Sequence, residues 1–176
     1  MSPAVILIAD AGPLITLAYA DALDALFLPR WTVQMVDMVL HELSRSHTPT
    51  SEKIAAWVSK QQLPIVTTQV FQRYQAALTA GETPRKAHLG EWAIQEVMTG
   101  FAQQSKPPHS VFLFEDHKIA KLQFTLPDTC QKVSTRAFLL FLQQQGLIES
   151  AQALEHKALQ AGRAFSSLRF PPEFSV

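Results

Sequence analysis

The sequence predicts an α/β fold in which a central parallel sheet is covered by helices on both faces. Three observations predict it. Short aliphatic runs alternate with segments of helical periodicity. The two strongest runs, Val5 to Ala9 and Val111 to Phe114, are apolar throughout, as strands buried on both faces are. Glycine and proline punctuate several of the connections. Such alternation implies crossover connections and a sheet sandwiched between helices.

Each element has its own reason. Val5 to Ala9 is a first strand, and Asp10-Ala-Gly-Pro13 follows it with a candidate cap and a proline suited to a first helical turn. Leu14, Leu17, Ala18, Ala22 and Leu26 recur at helical spacing, which predicts one helix up to Phe27, ended by Pro29. Thr32 to Val36 reads as a second strand, and Asp37 opens a helix bearing Val39, Leu40 and Leu43. Ser51 to Gln61 is helical with Ser51 as its cap. Leu63 to Thr67 is extended, an edge strand, and Val70 to Ala80 is helical, ended by Gly81. His88 to Gln104 is a long helix with Ile94, Val97, Met98 and Phe101 on its apolar face, broken by Lys106-Pro-Pro-His109. Val111 to Phe114 is a central strand that ends in Glu115-Asp116, where another helix begins. Gln131 to Ser134 is the last strand. Two helices follow, ending at Gly146 and Gly162, and then a tail containing Pro171-Pro172.

Composition narrows the function. At roughly 100–200 residues per domain, a chain of 176 residues is one domain with a tail. Hydrophobic residues make up 47% and charged residues 17%, enough core to exclude intrinsic disorder. The 15 basic residues balance 15 acidic ones, which excludes a strongly basic nucleic-acid coat protein but leaves room for a local basic rim. The single cysteine, Cys130, has no intramolecular disulfide partner and reads as a buried structural thiol in a reducing compartment. The apolar stretch Pro3 to Ala9 is short, lacks a basic leader and is stopped by Asp10, and no run approaches the ~20 apolar residues of a membrane span. The expected location is the cytoplasm. The six histidines show no tight metal-binding spacing and read as surface or capping residues, with His117 kept as a candidate substrate contact. No phosphate-binding glycine loop is present.

The informative feature is where the acids fall. Ligands of open α/β sheets bind beyond the carboxyl ends of the strands. Asp10 and the Glu115-Asp116 pair end two strands, Glu42 lies on the helix after the second strand, and Glu91 opens the long helix just after Gly90. Taken singly, each has an ordinary reading: Asp10 and Asp116 as helix caps, Glu42 as a solvated helix residue, Glu91 as a favourable charge at a helix N-terminus. Taken together, converging carboxylates repel one another, and a divalent cation resolves that conflict. Hard oxygen donors suit Mg²⁺ or Mn²⁺.

At these residues the chain resembles the PIN-domain nucleases, and most of all the bacterial and archaeal branch related to VapC-type toxins. Asp10-Ala-Gly-Pro-Leu-Ile-Thr-Leu17 is similar to the opening motif of that branch, Val39-Leu-His-Glu42-Leu to its Val-x-x-Glu-Leu helix, and Gly90-Glu91 to its Gly-Glu pair. Phe112-Leu-Phe-Glu-Asp116-His-Lys-Ile-Ala-Lys121 resembles its strand followed by Asp-Asp-x-x-Ala-Arg, and the segment Val133 to Ile148 its closing motif. The resemblance spans roughly residues 4–160. It implies a three-layer α/β/α fold with strand order 3-2-1-4-5, formed by a nuclease domain over 1–150 with a C-terminal helix and tail over 151–176.

The resemblance also implies a Mg²⁺- or Mn²⁺-dependent endoribonuclease hydrolysing RNA phosphodiesters, within a branch that includes toxins of toxin–antitoxin pairs. It carries catalytic roles onto Asp10, Glu42, Glu91 and Asp116, metal ligation onto Asp10, Glu91, Asp116 and Glu115, and support of the site onto Thr135, a candidate substrate contact. Lys118 and Lys121, one turn apart beside the acidic edge, are candidates to neutralise RNA phosphates, with a solvated helix face as their ordinary reading. RNA, an antitoxin protein and a second copy of the chain in a homodimer are the implied partners, with no membrane. Arg45, Arg85, Lys86 and Arg136 are further candidates for the basic rim.

The chain departs from the family pattern in several places. Glu115 stands where Asp is usual, Ser134 where Gly is usual, and Lys121 where Arg is usual. Trp92 and Ala93 follow Glu91 where another acid is common, and Glu96 is the residue positioned to compensate. A second reading is therefore a catalytically degenerate member acting through protein contacts. A third, a phosphoacceptor receiver-like domain, is supported only by Thr135. Trp57, Trp92, Phe71 and Tyr74 read as core, with base stacking as the alternative.

Overall fold

The computed structural model describes residues 4–115 and 126–164. Five parallel strands form one sheet in the order β3-β2-β1-β4-β5. They are β1 (Val5–Ala9), β2 (Thr32–Val36), β3 (Ile65–Val66), β4 (His109–Phe114) and β5 (Cys130–Ser134). Helices α1 (Ala11–Tyr19), α2 (Asp37–Ser44), α3 (Pro49–Lys60), α4 (Gln69–Thr79), α5 (Leu89–Ala102), α6 (Thr135–Gln144) and α7 (Ala151–Gln160) flank it, giving the three-layer α/β/α architecture. None of the described helices is long and apolar enough to cross a membrane.

The aliphatic runs are central because they are apolar on both sides. Leu7 and Ile8 on β1, and Phe112 and Leu113 on β4, point to opposite faces and are each at most 1% exposed. Full burial of such a side chain contributes about 1.5–3 kcal/mol. Trp31, just before β2, stacks on Phe141 of α6 at 5.5 Å and 18°, and tilts against Phe138.

Boundaries differ from expectation where polar chemistry overrides apolar periodicity. The helix expected to run to Phe27 stops at Tyr19, and a 3-10 segment (Leu23–Phe27) takes over. Asp21 adopts a left-handed conformation (φ 54°) between them. Its carboxylate pairs with Lys53 and Lys157, and Lys53 Nζ also donates to the Ala18 carbonyl at the helix end, 3.1 Å away. α3 starts earlier than expected. Thr48 is its cap, and Ser51, expected to be the cap, sits in the first turn and completes a reciprocal capping box. The helix expected to begin after Glu115 lies outside the described residues.

The topology defines the place for chemistry. The chain runs from β1 outward to β3, then crosses back to β4 on the other side of β1. The strand order therefore reverses between β1 and β4, and the place outside their carboxyl ends is where open α/β sheets bind ligands.

Candidate metal and acid site

Asp10 follows β1 directly. Its N–H donates to the Leu113 carbonyl at 3.0 Å, extending the β1–β4 ladder by one step. That bond sets Asp10 beside the end of β4, where Glu115 begins the loop. Asp10 precedes α1, yet its side chain makes no capping hydrogen bond to that helix. The ordinary reading of Asp10 as a side-chain cap is thereby removed.

Glu115 is 6% exposed. Its Oε2 accepts from the Thr16 hydroxyl at 2.9 Å and from the Arg163 guanidinium at 2.7 Å. Gly12 makes this possible, because a Cβ there would lie 3.1 Å from the Glu115 Cβ and 3.3 Å from Oε2. Oε1 has no hydrogen-bond partner among the described residues, although it is buried. β4 and β5 pair with Phe114 opposite Ser134, so Glu115 and Thr135 leave their strands at the same level. The Thr135 hydroxyl is likewise buried without a partner. Ser134 caps α6 by accepting from the Ala137 N–H at 3.1 Å.

A second acidic pair forms where α2 meets α5. The Gly90 N–H donates to Glu42 Oε1 at 3.1 Å. A Cβ on Gly90 would sit 2.8 Å from Glu42 Oε2, so any other residue there obliges this carboxylate to shift. The Gly-Glu spacing thus has a physical cause: Gly90 receives Glu42, and Glu91 follows in the first turn of α5. Burial raises the Glu42 carboxyl above its ordinary range, opposed by the Gly90 N–H and Arg45 and reinforced by the Glu91 charge. Glu91 Oε2 contacts His88 Nδ1 at 2.5 Å, and the Glu91 side chain is 13% exposed. His88 holds a left-handed conformation (φ 62°) at the N-terminus of α5.

Asp116, His117, Lys118 and Lys121 lie outside the described residues. Among the described residues, no three His, Cys, Asp or Glu side chains are grouped to hold a metal ion. At the carboxyl ends of the strands the described residues offer two hard oxygens without a hydrogen-bond partner, Glu115 Oε1 after β4 and Thr135 Oγ1 after β5. This donor chemistry fits Mg²⁺ or Mn²⁺.

Other expected roles are redirected by packing. Glu96 does not compensate for the missing acid after Glu91. It accepts from the Gln69 and Val70 N–H groups at 2.7 and 3.1 Å, satisfying the orphan donors of α4. Arg136 pairs with Glu155 on α7 at 3.3 Å, and Arg45 reaches the Tyr74 hydroxyl at 3.4 Å. His41 is not a surface or capping residue: its Nε2 is buried without a hydrogen-bond partner among the described residues, the ring lies against Phe71 and Tyr74, and burial lowers its pKa. Trp57 and Tyr74 are core, but Trp92 is 55% exposed and lies next to Glu91 in the chain. Cys130 packs its sulfur 3.4 Å from that of Met98, and burial raises its thiol pKa.

Sequence reasoning missed three participants: Gly12, Thr16 and Arg163. Thr16 carried a readable signal, a polar residue among the apolar positions Leu14, Leu17 and Ala18 of α1. Asp37, one residue past β2, is a further strand-end acid. Its carboxylate accepts from the Met38 N–H, the Thr68 N–H and the Thr68 hydroxyl at 2.7–2.8 Å, tying the start of α2 to the start of α4.

No family model, curated protein or solved structure matches this chain.

Proposed function

We propose that this chain is a Mg²⁺- or Mn²⁺-dependent ribonuclease of the PIN type, cleaving RNA phosphodiesters at the carboxyl ends of β1 and β4. The observation that carries the reading is Glu115 Oε1, buried and without a partner among the described residues at the end of β4, where the Asp10 N–H also bonds to Leu113. Buried polar atoms normally have partners, so an orphan carboxylate oxygen at the edge where open α/β sheets bind ligands is suited to a cation. Asp10, Glu115 and Thr135 are the described residues to hold the cation, with Asp116 and Glu91 as the remaining proposed ligands. The bound cation supplies a Lewis acid for the phosphoryl oxygen and lowers the pKa of water.

Glu42, with its raised pKa, is suited to moving a proton closer to neutral pH than an ordinary carboxylate is. Gly90 aims that carboxylate through its N–H, and the Glu91 charge acts on it from the next position of α5. Exposed Trp92 offers a flat face for an unstacked base next to Glu91. Lys118 and Lys121 are proposed to meet substrate phosphates. The toxin role, an antitoxin partner and a homodimer belong to the same proposal.

One observation favours the degenerate, protein-interaction reading instead: Glu115 spends Oε2 on Arg163, leaving one of its oxygens for a cation. A single experiment separates the two. Labelled single-stranded RNA is incubated with the purified chain and Mn²⁺, with chelator, and with the Asp10→Asn variant. The nuclease reading expects cleavage in Mn²⁺ alone, with a loss of about 100-fold or more in the variant, the scale of removing one group that stabilises transition-state charge. Absence of both cleavage and Mn²⁺ uptake in the parent chain refutes it in favour of the interaction module.

A further inference from the structure

The segment after α7 is built into the candidate site. α7 ends at Gln160, and Gly162 turns the chain at φ 115°. The N–H groups of Gly162 and Arg163 donate back to the carbonyls of Leu159 and Ala158 at 3.0 and 2.9 Å, so the backbone that carries Arg163 is fixed. From there the guanidinium reaches the start of α1. Nε donates to the Thr16 hydroxyl at 2.8 Å, and one terminal nitrogen donates to Glu115 Oε2 at 2.7 Å and to the Gly12 carbonyl at 3.5 Å. The Thr16 hydroxyl in turn donates a hydrogen bond to the same Oε2 at 2.9 Å. Among the described residues, every donor to the Glu115 carboxylate therefore converges on one oxygen, and the other is left bare.

We infer that Arg163 is a positioning residue for the metal site, an inference that rests on the proposed nuclease reading. Arg163, whose side chain is 16% exposed, sets its guanidinium 2.7 Å from the carboxylate of Glu115, whose side chain is 4% exposed. Arg163 and Thr16 hold Oε2 in a two-donor clasp, which leaves Oε1 as the oxygen that can meet a cation. The guanidinium and the divalent ion then occupy opposite oxygens of one carboxylate. The C-terminal segment is thus part of the site rather than an appendage, although residue 163 is 48 positions from Glu115 and 147 from Thr16.

The test is Mn²⁺ binding by titration calorimetry on the full chain, with no RNA present. Outer partners of metal ligands typically account for 10–100-fold in affinity, so Arg163→Met is expected to weaken Mn²⁺ by about tenfold or more. Arg163→Lys, which keeps the charge but not the fork, is expected to recover part of the loss. If Arg163→Met fails to fold, Thr16→Val carries the test, because it removes one donor to Oε2 without stranding a charge; a loss of about threefold is expected. A folded Arg163→Met or Thr16→Val variant with parental Mn²⁺ affinity overturns the positioning role while leaving the metal site standing. A parent chain that takes up no Mn²⁺ overturns the metal reading itself, and the role of Arg163 with it.

Discussion

Replacing Gly90 with alanine opposes two effects of known sign. Gly90 is the second residue of α5, in ordinary helical conformation, so alanine by itself stabilises by about 0.5–1 kcal/mol. Against that, the new methyl group would sit 2.8 Å from Glu42 Oε2 and 3.4 Å from its Cδ. The carboxylate must swing away and surrender the 3.1 Å bond from the Gly90 N–H. A hydrogen bond to a charged group contributes about 1.5–3 kcal/mol. Glu42 is only partly buried, which places the loss at the lower half of that range, and the net expectation is a destabilisation of about 1 kcal/mol. Gly100, on the same helix, has open space where a Cβ would stand. Gly100→Ala should therefore keep the helix gain alone. Urea unfolding followed by circular dichroism separates the two variants. They should differ by about 2 kcal/mol, or roughly 1 M in midpoint for a typical slope. Equal stabilisation of both variants would show that Gly90 is not reserved for Glu42, and the account of the Gly-Glu pair would fail.

Two other outcomes follow from the same geometry. The raised Glu42 carboxyl means that the folded state binds the extra proton, so stability falls as pH rises from the ordinary value of 4.5 through the folded pKa and is level beyond it. With chelator present, Glu42→Gln should match the parent below that window and exceed it above; parallel urea-midpoint profiles across pH would contradict this. Asp37→Ala leaves the Thr68 N–H and hydroxyl without an acceptor and should cost about 3 kcal/mol by urea unfolding. A cost below about 1 kcal/mol would show that Asp37 is not a structural tie.

Strands that are apolar on both faces have one stable place in an α/β protein. The two central strands, the parallel sheet and the covering helices could therefore be read from Val5 to Ala9 and Val111 to Phe114. The stopping points of α1 and the cap of α3 could not, because they depend on Lys53 and Lys157 arriving from distant helices, and on which of Thr48 and Ser51 faces the first free N–H groups. The positions of Asp10, Glu42, Glu91 and Glu115 as candidates were also legible, since strand ends and a Gly-Glu pair are local features. Their partners were not. Whether an acid faces a cation or a helix end is settled by distance in space: Glu96 is consumed by the N-terminus of α4, Asp37 by Thr68, and one oxygen of Glu115 by Arg163. Chain order alone determined the layers of this protein and which residues stand at the edge of the sheet. Only the folded packing decided which of their oxygens are already satisfied and which remain bare, because a hydrogen bond acts over about 3 Å and the residues it joins here lie up to 147 positions apart.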